Sequence, residues 1–451
     1  MILKFTLLFL VTLNAFAAIP GQMFHYESLK LKKYKSIQAA NFFDQKLNHK
    51  SSDKTTFKQR YFVDSQYASS QDAPVFYLIC GEWNCAGTAS YSFIGNLAKK
   101  FKAHLVALEH RYYGESMPFT KLTTPNLKHL TVEAALTDLK VVQTYLMKEQ
   151  GLTGKWIAVG GSYAGSLAAF YRLKFPSLVA GALASSGPVL MKNEFYEYDA
   201  HIAKVVNKTS CGDKVREAVK LIEAKMKTPA GTAELKKAFQ ATELKNDKDF
   251  LYVVADMLAA AVQYGRDKAF CDALNTTDLV AGYAKGGVAA IAAMGATPFD
   301  ISLAVGERIN VTADDNMRQW LWQSCSEFGW FQVANGKGVN SSRSSQIDLK
   351  YHEEICDRLY GTQMVEDGKL NNDYYYPLFN PASTKIIFSN GSNDPWLTLS
   401  IADMNVQGRT AHELLMMDGG AHCSDLNAAV RIPSVIAAQT QIENIMRGWL
   451  K

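Results

Sequence analysis

The sequence predicts an α/β fold: a largely parallel sheet flanked by helices, with a helical segment inserted between two of its strands. Three observations carry this. Short, unbroken apolar runs alternate with helical periodicity from about residue 57 to residue 185. From about Tyr196 to Phe331 the pattern becomes Ala-rich, amphipathic and helical. Two further apolar runs return near the end, after that segment. A strand covered on both faces has no reason to alternate, so unbroken runs joined by helices indicate βαβ units.

In chain order, Phe57 to Val63 roughly alternates, as a half-buried strand does. Pro74 to Ile79 is a continuous apolar run stopping at Cys80-Gly81, and His104 to Leu108 is a second. A helix follows over Thr131 to Glu149, where Val132, Ala135, Leu136, Leu139, Val142 and Leu146 recur at helical spacing. Trp156 to Gly160 is the third run, Ser166 to Phe175 a helix stopped near Pro176, and Val179 to Ser185 the fourth run. Helices in the inserted segment are expected at Asp213 to Met226, Asp249 to Tyr264 and Asn316 to Cys325. Strands resume at Lys385 to Ser389 and Glu413 to Met417. The expected division is a sheet domain over 18–194 and 346–451, with a helical cap over 195–345.

With 451 residues, 48% apolar and 20% charged, the chain is too apolar to be disordered and long enough for a large core. Forty-eight basic against 43 acidic residues leave a net charge of +5, too weak for a nucleic-acid binder. The basic cluster Lys30, Lys32, Lys33 and Lys35 reads as a solvated lead-in. Lys4, the apolar run Phe5 to Leu13 and Ala15-Phe16-Ala17 form a secretory signal peptide over 1–17. No later run is long enough to span a membrane; the best, Val253 to Val262, is broken by Asp256. Seven cysteines suit an exported protein. There is no C-x-x-C and no H-E-x-x-H, so neither a metal nor another cofactor is expected. Sequons begin at Asn207, Asn275, Asn310 and Asn340, the glycosylation candidates, and at Asn390. The oligomeric state is left open, a homodimer included.

The chemistry concentrates at Gly160-Gly161-Ser162-Tyr163-Ala164-Gly165, directly after a strand and before a helix. A serine on such a turn is the nucleophile elbow of the α/β-hydrolase fold, where small neighbours are needed to avoid clashes. A plain Gly/Ser turn is the competing reading. In this fold the acid and the base follow the serine in that order, each after a strand. Asp394 follows the Lys385 to Ser389 run, and His422 follows the Glu413 to Met417 run. Asp418 is the second choice of acid. His412 precedes its strand and His110 precedes the serine, so both fit less well. A serine hydroxyl is a weak nucleophile until a base takes its proton, and a carboxylate must orient that base. The expected oxyanion donors are the backbone N–H of Tyr163 and that of Gly81 or Glu82.

Several segments resemble one family of serine peptidases, which includes lysosomal Pro-Xaa carboxypeptidase, dipeptidyl peptidase II and thymus-specific serine protease. They are Phe43 to His49, Leu108 to Ser116, Gly160 to Gly165, Gln323 to Gly329, Asn390 to Trp396 and Gly420 to His422. The resemblance implies an α/β-hydrolase fold with an inserted helical cap, a triad of Ser162, Asp394 and His422, and peptide substrates cleaved next to proline. It also implies secretory or lysosomal residence. Two positions depart from the pattern: Cys423 stands where relatives often have histidine, and Cys80 to Cys85 replaces a Gly-Gly-Glu-Gly loop. A proline pocket should be apolar and aromatic, so Trp396, Trp330 and Phe331 are expected walls. Glu82 and Glu327 are candidates to attract a substrate amino terminus. The cysteines are expected to pair Cys80–Cys85, Cys211–Cys271 and Cys325–Cys356, leaving Cys423 free. The competing functions are a serine carboxypeptidase or esterase without proline preference, and a non-catalytic binding protein on the same fold.

Overall fold

The computed structural model describes residues 38–336, 341–402 and 411–451. The expected signal peptide and the sequon at Asn340 lie outside them. Strand β1 (Asn41–Lys46) pairs antiparallel with β2 (Thr56–Asp64). The sheet continues through β3 (Val75–Ile79), β4 (His104–Leu108), β5 (Trp156–Gly161), β6 (Gly181–Ser185), β9 (Ile386–Gly391) and β10 (Glu413–Met417). In space the order is β1-β2-β4-β3-β5-β6-β9-β10. Beyond the antiparallel β2/β4 pair, every neighbouring pair is parallel. This is an α/β-hydrolase fold.

Every residue of β3, β4, β6 and β9 is buried, which is why those runs are unbroken in the sequence. Along β3, Val75, Tyr77 and Ile79 join the core on one face, while Phe76 and Leu78 join that on the other. Helices Val132–Glu149 and Tyr163–Lys174 cover the first face; Phe93–Phe101 and Pro433–Leu450 cover the second. Leu97, Leu105 and Leu183 are fully buried there. Truncating one such leucine to alanine costs about 2–5 kcal/mol.

Between β6 and β9 lies the helical segment. Its helices are Tyr196–Val206, Cys211–Lys225, Pro229–Ala238, Asp247–Gln263, Asp267–Ala273, Leu279–Ala292, Met317–Gln323 and Leu349–Tyr360. One feature corrects the all-helical expectation. A short parallel pair, β7 (Lys192–Glu194) with β8 (Gly329–Phe331), ties the end of this segment back to its start. The turn into β8 needs Gly329, whose φ is 72° and whose missing Cβ would stand 2.4 Å from Asn193 Oδ1. Disulfides join Cys80–Cys85, Cys211–Cys271 and Cys325–Cys356, and Cys423 is free and buried. The second closes 60 residues of chain and contributes about 4 kcal/mol on a loop-entropy basis. Among the described residues no helix is long and apolar enough to cross a membrane.

Candidate active site

The turn after β5 is built to present one half-buried side chain, Ser162. Ser162 has φ 59° and ψ −133°, a conformation that side chains rarely adopt, and helix Tyr163–Lys174 starts immediately after it. A Cβ on Gly160 would sit 2.0 Å from the Ala164 carbonyl oxygen, so this position admits only glycine. The Ser162 N–H donates to the Ser185 carbonyl at 2.9 Å, pinning the turn to the end of β6. Tyr163 fixes the turn from below. His110 Nδ1 lies 2.7 Å from the Arg111 carbonyl and so carries the proton, leaving Nε2 to accept from the Tyr163 hydroxyl at 3.2 Å. Burial lowers His110 to about 4, which keeps that ring neutral. Gln323 Nε2 donates to the same tyrosine oxygen at 2.8 Å, and Tyr113 donates to Gln323 Oε1 at 2.7 Å.

Asp394 and His422 meet at the ends of β9 and β10. His422 Nδ1 is 2.8 Å from Asp394 Oδ2, while Asp394 Oδ1 accepts the Trp396 N–H at 3.0 Å. Both side chains are buried. Burial disfavours the His422 cation, but Asp394 and the adjacent Cys423 outweigh it and hold the ring well above its ordinary value. Nε2 of His422 has no hydrogen-bond partner among the described residues. The backbone N–H of His422 donates to the Gln263 carbonyl at 2.9 Å, so the inserted segment holds this residue in place. Asp418, the other candidate acid, is exposed and accepts from Ser392 Oγ at 3.1 Å. His412 is turned to the Leu378 carbonyl at 2.9 Å and is lowered by burial to about 4.

The Cys80–Cys85 loop packs on the serine turn: a Cβ on Gly81 would stand 3.3 Å from the Ala164 Cβ. Tyr163 is the first residue of its helix, so its N–H has no intrahelical acceptor. Glu109, fully buried, holds the loop from the other side. Its Oε1 accepts from the Cys85 N–H at 2.9 Å and from Arg60 at 2.5 Å; its Oε2 accepts from the Glu115 N–H and Ser116 Oγ. Gly114, with φ 57°, is required because a Cβ there would lie 1.8 Å from Glu109 Oε1. Arg111 in turn makes a two-pronged pair with Asp138 at 2.6 and 2.7 Å. The Leu108 to Ser116 segment is therefore scaffold for the loop and the serine turn.

Ser162 opens on a cavity of about 440 Å³ whose walls include Glu82, Tyr198, Asp256, Tyr264, Trp320 and Trp396. A smaller space of about 90 Å³ lies on its other side, bounded by Gly81, Glu82, Cys85 and Cys423. Trp396 is thus a wall, as expected. Trp330 and Phe331 are not among the lining residues. Trp330 stands behind Trp396 with ring centres 5.8 Å apart, and Phe331 faces His352. Glu327 is also absent from the wall: it accepts the Val132 N–H at 2.6 Å, at the start of helix Val132–Glu149. Sequence reasoning missed Tyr198, Asp256, Tyr264 and Trp320. Asp256 carried a signal, since it interrupts the most apolar stretch of the inserted segment. Burial raises its carboxyl to about 6, against the attraction of Arg343. Of the sequons described, Asn207, Asn275 and Asn310 are exposed, whereas Asn390 lies in β9 and is buried. Among the described residues no cluster of His, Cys, Asp or Glu is placed to hold a metal ion.

Comparison with known proteins places the chain. It is 36% identical to the probable serine protease EDA2 of Arabidopsis thaliana over 88% of this chain and 83% of that one. It is 29% identical to the thymus-specific serine protease of Mus musculus, over 89% and 85%. It is 27% identical to the lysosomal Pro-X carboxypeptidase of Bos taurus, over 88% and 84%. The family model described as serine carboxypeptidase S28 matches residues 45–285 and 287–439, and the chain belongs to that family of serine peptidases.

Proposed function

We propose that the chain is a secreted or lysosomal exopeptidase that hydrolyses peptide bonds next to proline, with Ser162 as nucleophile, His422 as base and Asp394 as orienting acid. The observation that carries this is the buried Asp394–His422 pair, whose free Nε2 belongs to a loop adjoining the Ser162 turn. In the first step His422 Nε2 takes the Ser162 proton while Oγ attacks the scissile carbonyl. The tetrahedral oxygen is held by the N–H groups of Tyr163 and of Gly81 or Glu82. His422 then protonates the leaving amine, and an acyl-enzyme remains. Water repeats the sequence, giving its proton to His422 and releasing the acid and free Ser162. Asp394 fixes the tautomer and stabilises the imidazolium formed in both steps.

The helices of residues 195–345 act as a cap over the serine, and this supports cleavage from a chain end. Trp396, Trp320 and Tyr264 supply an apolar, aromatic wall suited to a proline ring, which has no N–H to satisfy. Glu82 and Asp256 on the same wall suit a substrate ammonium, which favours release of an N-terminal dipeptide over release of a C-terminal residue. The N-terminal segment and the lysosomal name of one relative support the secretory pathway. The test is a matched set of short peptides with Pro or Ala before the scissile bond and with free or blocked ends. Equal cleavage of the Pro and Ala peptides would remove the proline preference. Efficient cleavage with both ends blocked would remove the exopeptidase reading.

A further inference from the structure

Three residues beyond His422, Asp425 is a fully buried carboxylate. Among the described residues it has no ion pair with lysine or arginine. Ser185 Oγ donates to its Oδ1 at 2.5 Å and Ser389 Oγ donates to its Oδ2 at 2.6 Å. Ser185 and Ser389 are register partners on the neighbouring parallel strands β6 and β9, so both hydroxyls rise from the same face. Both are tied to the reacting groups through the backbone. The Ser185 carbonyl accepts the N–H of Ser162, and Ser389 lies on the strand that leads into Asp394. Ser186, whose N–H donates to the Ser389 carbonyl at 2.7 Å, accepts the Cys423 N–H on its own Oγ at 2.8 Å. From outside, Gln439 Nε2 donates to the Asp425 and Asn427 carbonyls, closing the loop against helix Pro433–Leu450.

We propose that Asp425 is a positioning residue for catalysis: one carboxylate that locks the serine turn, the acid strand and the base loop into a single register. This rests on the Ser162–His422–Asp394 reading. The hydroxyls of Ser185 and Ser389 take one carboxyl oxygen each, so Asp425 bridges the two strands. The groups facing His422 are Asp394, Asp425, Glu82, Cys423 and the Tyr264 ring. When ionised, Asp425 also attracts the imidazolium that forms in each step, in addition to fixing its loop. Burial raises the Asp425 carboxyl, and the two serine bonds and His422 oppose that rise.

The test is Asp425→Asn, which keeps the shape and removes the charge. We expect a folded protein with kcat reduced about 10- to 100-fold, the size of loss that small misplacements of reacting groups bring. KM should stay within about twofold, because no substrate contact is altered. The acid limb of the kcat/KM profile should move to lower pH, since one of the anions favouring the imidazolium is gone. A merely structural role would not move that limb. Wild-type kcat with an unmoved limb in a folded variant overturns the proposal. Should Asp425→Asn fail to fold, Ser389→Ala serves instead: a kcat loss with slower fluorophosphonate labelling supports the proposal, and wild-type values overturn it. Ser162→Ala separates the two readings. If it still labels, the triad reading fails; if it does not label while Asp425→Asn is fully active, only the present inference fails.

Discussion

Replacing Glu327 by glutamine tests how this protein uses a buried acid away from the cavity. Glu327 accepts the Val132 N–H at 2.6 Å, in the first turn of helix Val132–Glu149. Burial lifts its carboxyl from 4.5 to about 8; the Val132 bond and Lys369 oppose the rise, and Glu133 adds to it. At neutral pH the folded chain thus holds a proton that the unfolded chain has released. The stability this confers is fully present below about pH 4.5 and is lost as pH rises through about 8. A shift from 4.5 to about 8, at about 1.4 kcal/mol per pH unit, sets a ceiling of roughly 5 kcal/mol. Glu327 keeps some solvent exposure, which screens the cost of ionising it, so we expect about half the ceiling.

Glutamine retains the carbonyl that accepts from Val132 and cannot ionise. Wild type and Glu327→Gln should therefore have similar thermal midpoints below about pH 4.5 and diverge as pH rises to about 8, where the variant is more stable by about 2 kcal/mol. Midpoints measured at one scan rate over a pH series, with urea melts at the two extremes, give the difference. The KM for any peptide cleaved should be unchanged, because Glu327 is not on the cavity wall. Parallel pH curves for the two proteins would refute the buried-proton argument. A tenfold rise in KM would return Glu327 to the substrate site that its sequence position suggested.

Three further outcomes are expected. Ser162→Ala should abolish labelling by a fluorophosphonate, and Asp394→Asn should lower kcat by about 10⁴-fold through the wrong imidazole tautomer; near-normal turnover in either would sink the triad. Gly160→Ala should destabilise the protein and remove activity together, because its Cβ would meet the Ala164 carbonyl oxygen at 2.0 Å; a soluble, active variant with an unchanged midpoint would show that the turn relaxes. Glycan mapping of protein from a glycosylating host should find sugar only among the exposed sequons and none at Asn390, which is buried in β9; occupancy at Asn390 would contradict the fold there.

The sheet was legible because of where it sits. Strands β3, β4, β6 and β9 are buried on both faces, so nothing interrupts their apolar runs. The candidate site was legible through order: a strand ending in Gly-Gly with Ser162 directly after it, then Asp394 and His422, each after a later strand. What stayed hidden depends on contacts distant in sequence. Helix Phe93–Phe101 has a glycine and two lysines in nine residues, and its Ser92 cap was not read. The β7/β8 pair has three residues on each side, too few for a period, and is separated by the whole helical segment. Trp330 and Phe331 were readable as aromatic and Glu327 as acidic, but no local pattern says which of these side chains reach the cavity. Conversely, Tyr264 and Asp256 reach the wall only because helix Asp247–Gln263 is docked over the strand ends.

That helix also decides how the inserted segment can move. Gln263 at its end accepts from Tyr198 at 2.7 Å and from Trp396 Nε1 at 3.0 Å through its side chain, and from His422 N–H through its carbonyl. One residue of the cap therefore supports the proposed base, the residue two beyond the proposed acid, and a wall of the cavity. A cap attached in this way cannot swing open as a rigid lid without loosening His422 and the Trp396 loop together. The same cavity is also lined by Asp300, Arg308, Asp314 and Asp315 of the inserted segment. An inserted segment held in this way supports the proposal that a narrow, unfolded chain end is admitted and a folded loop is not. The proposed preference for chain ends would then follow from how the inserted segment is anchored, whichever terminus the cavity selects.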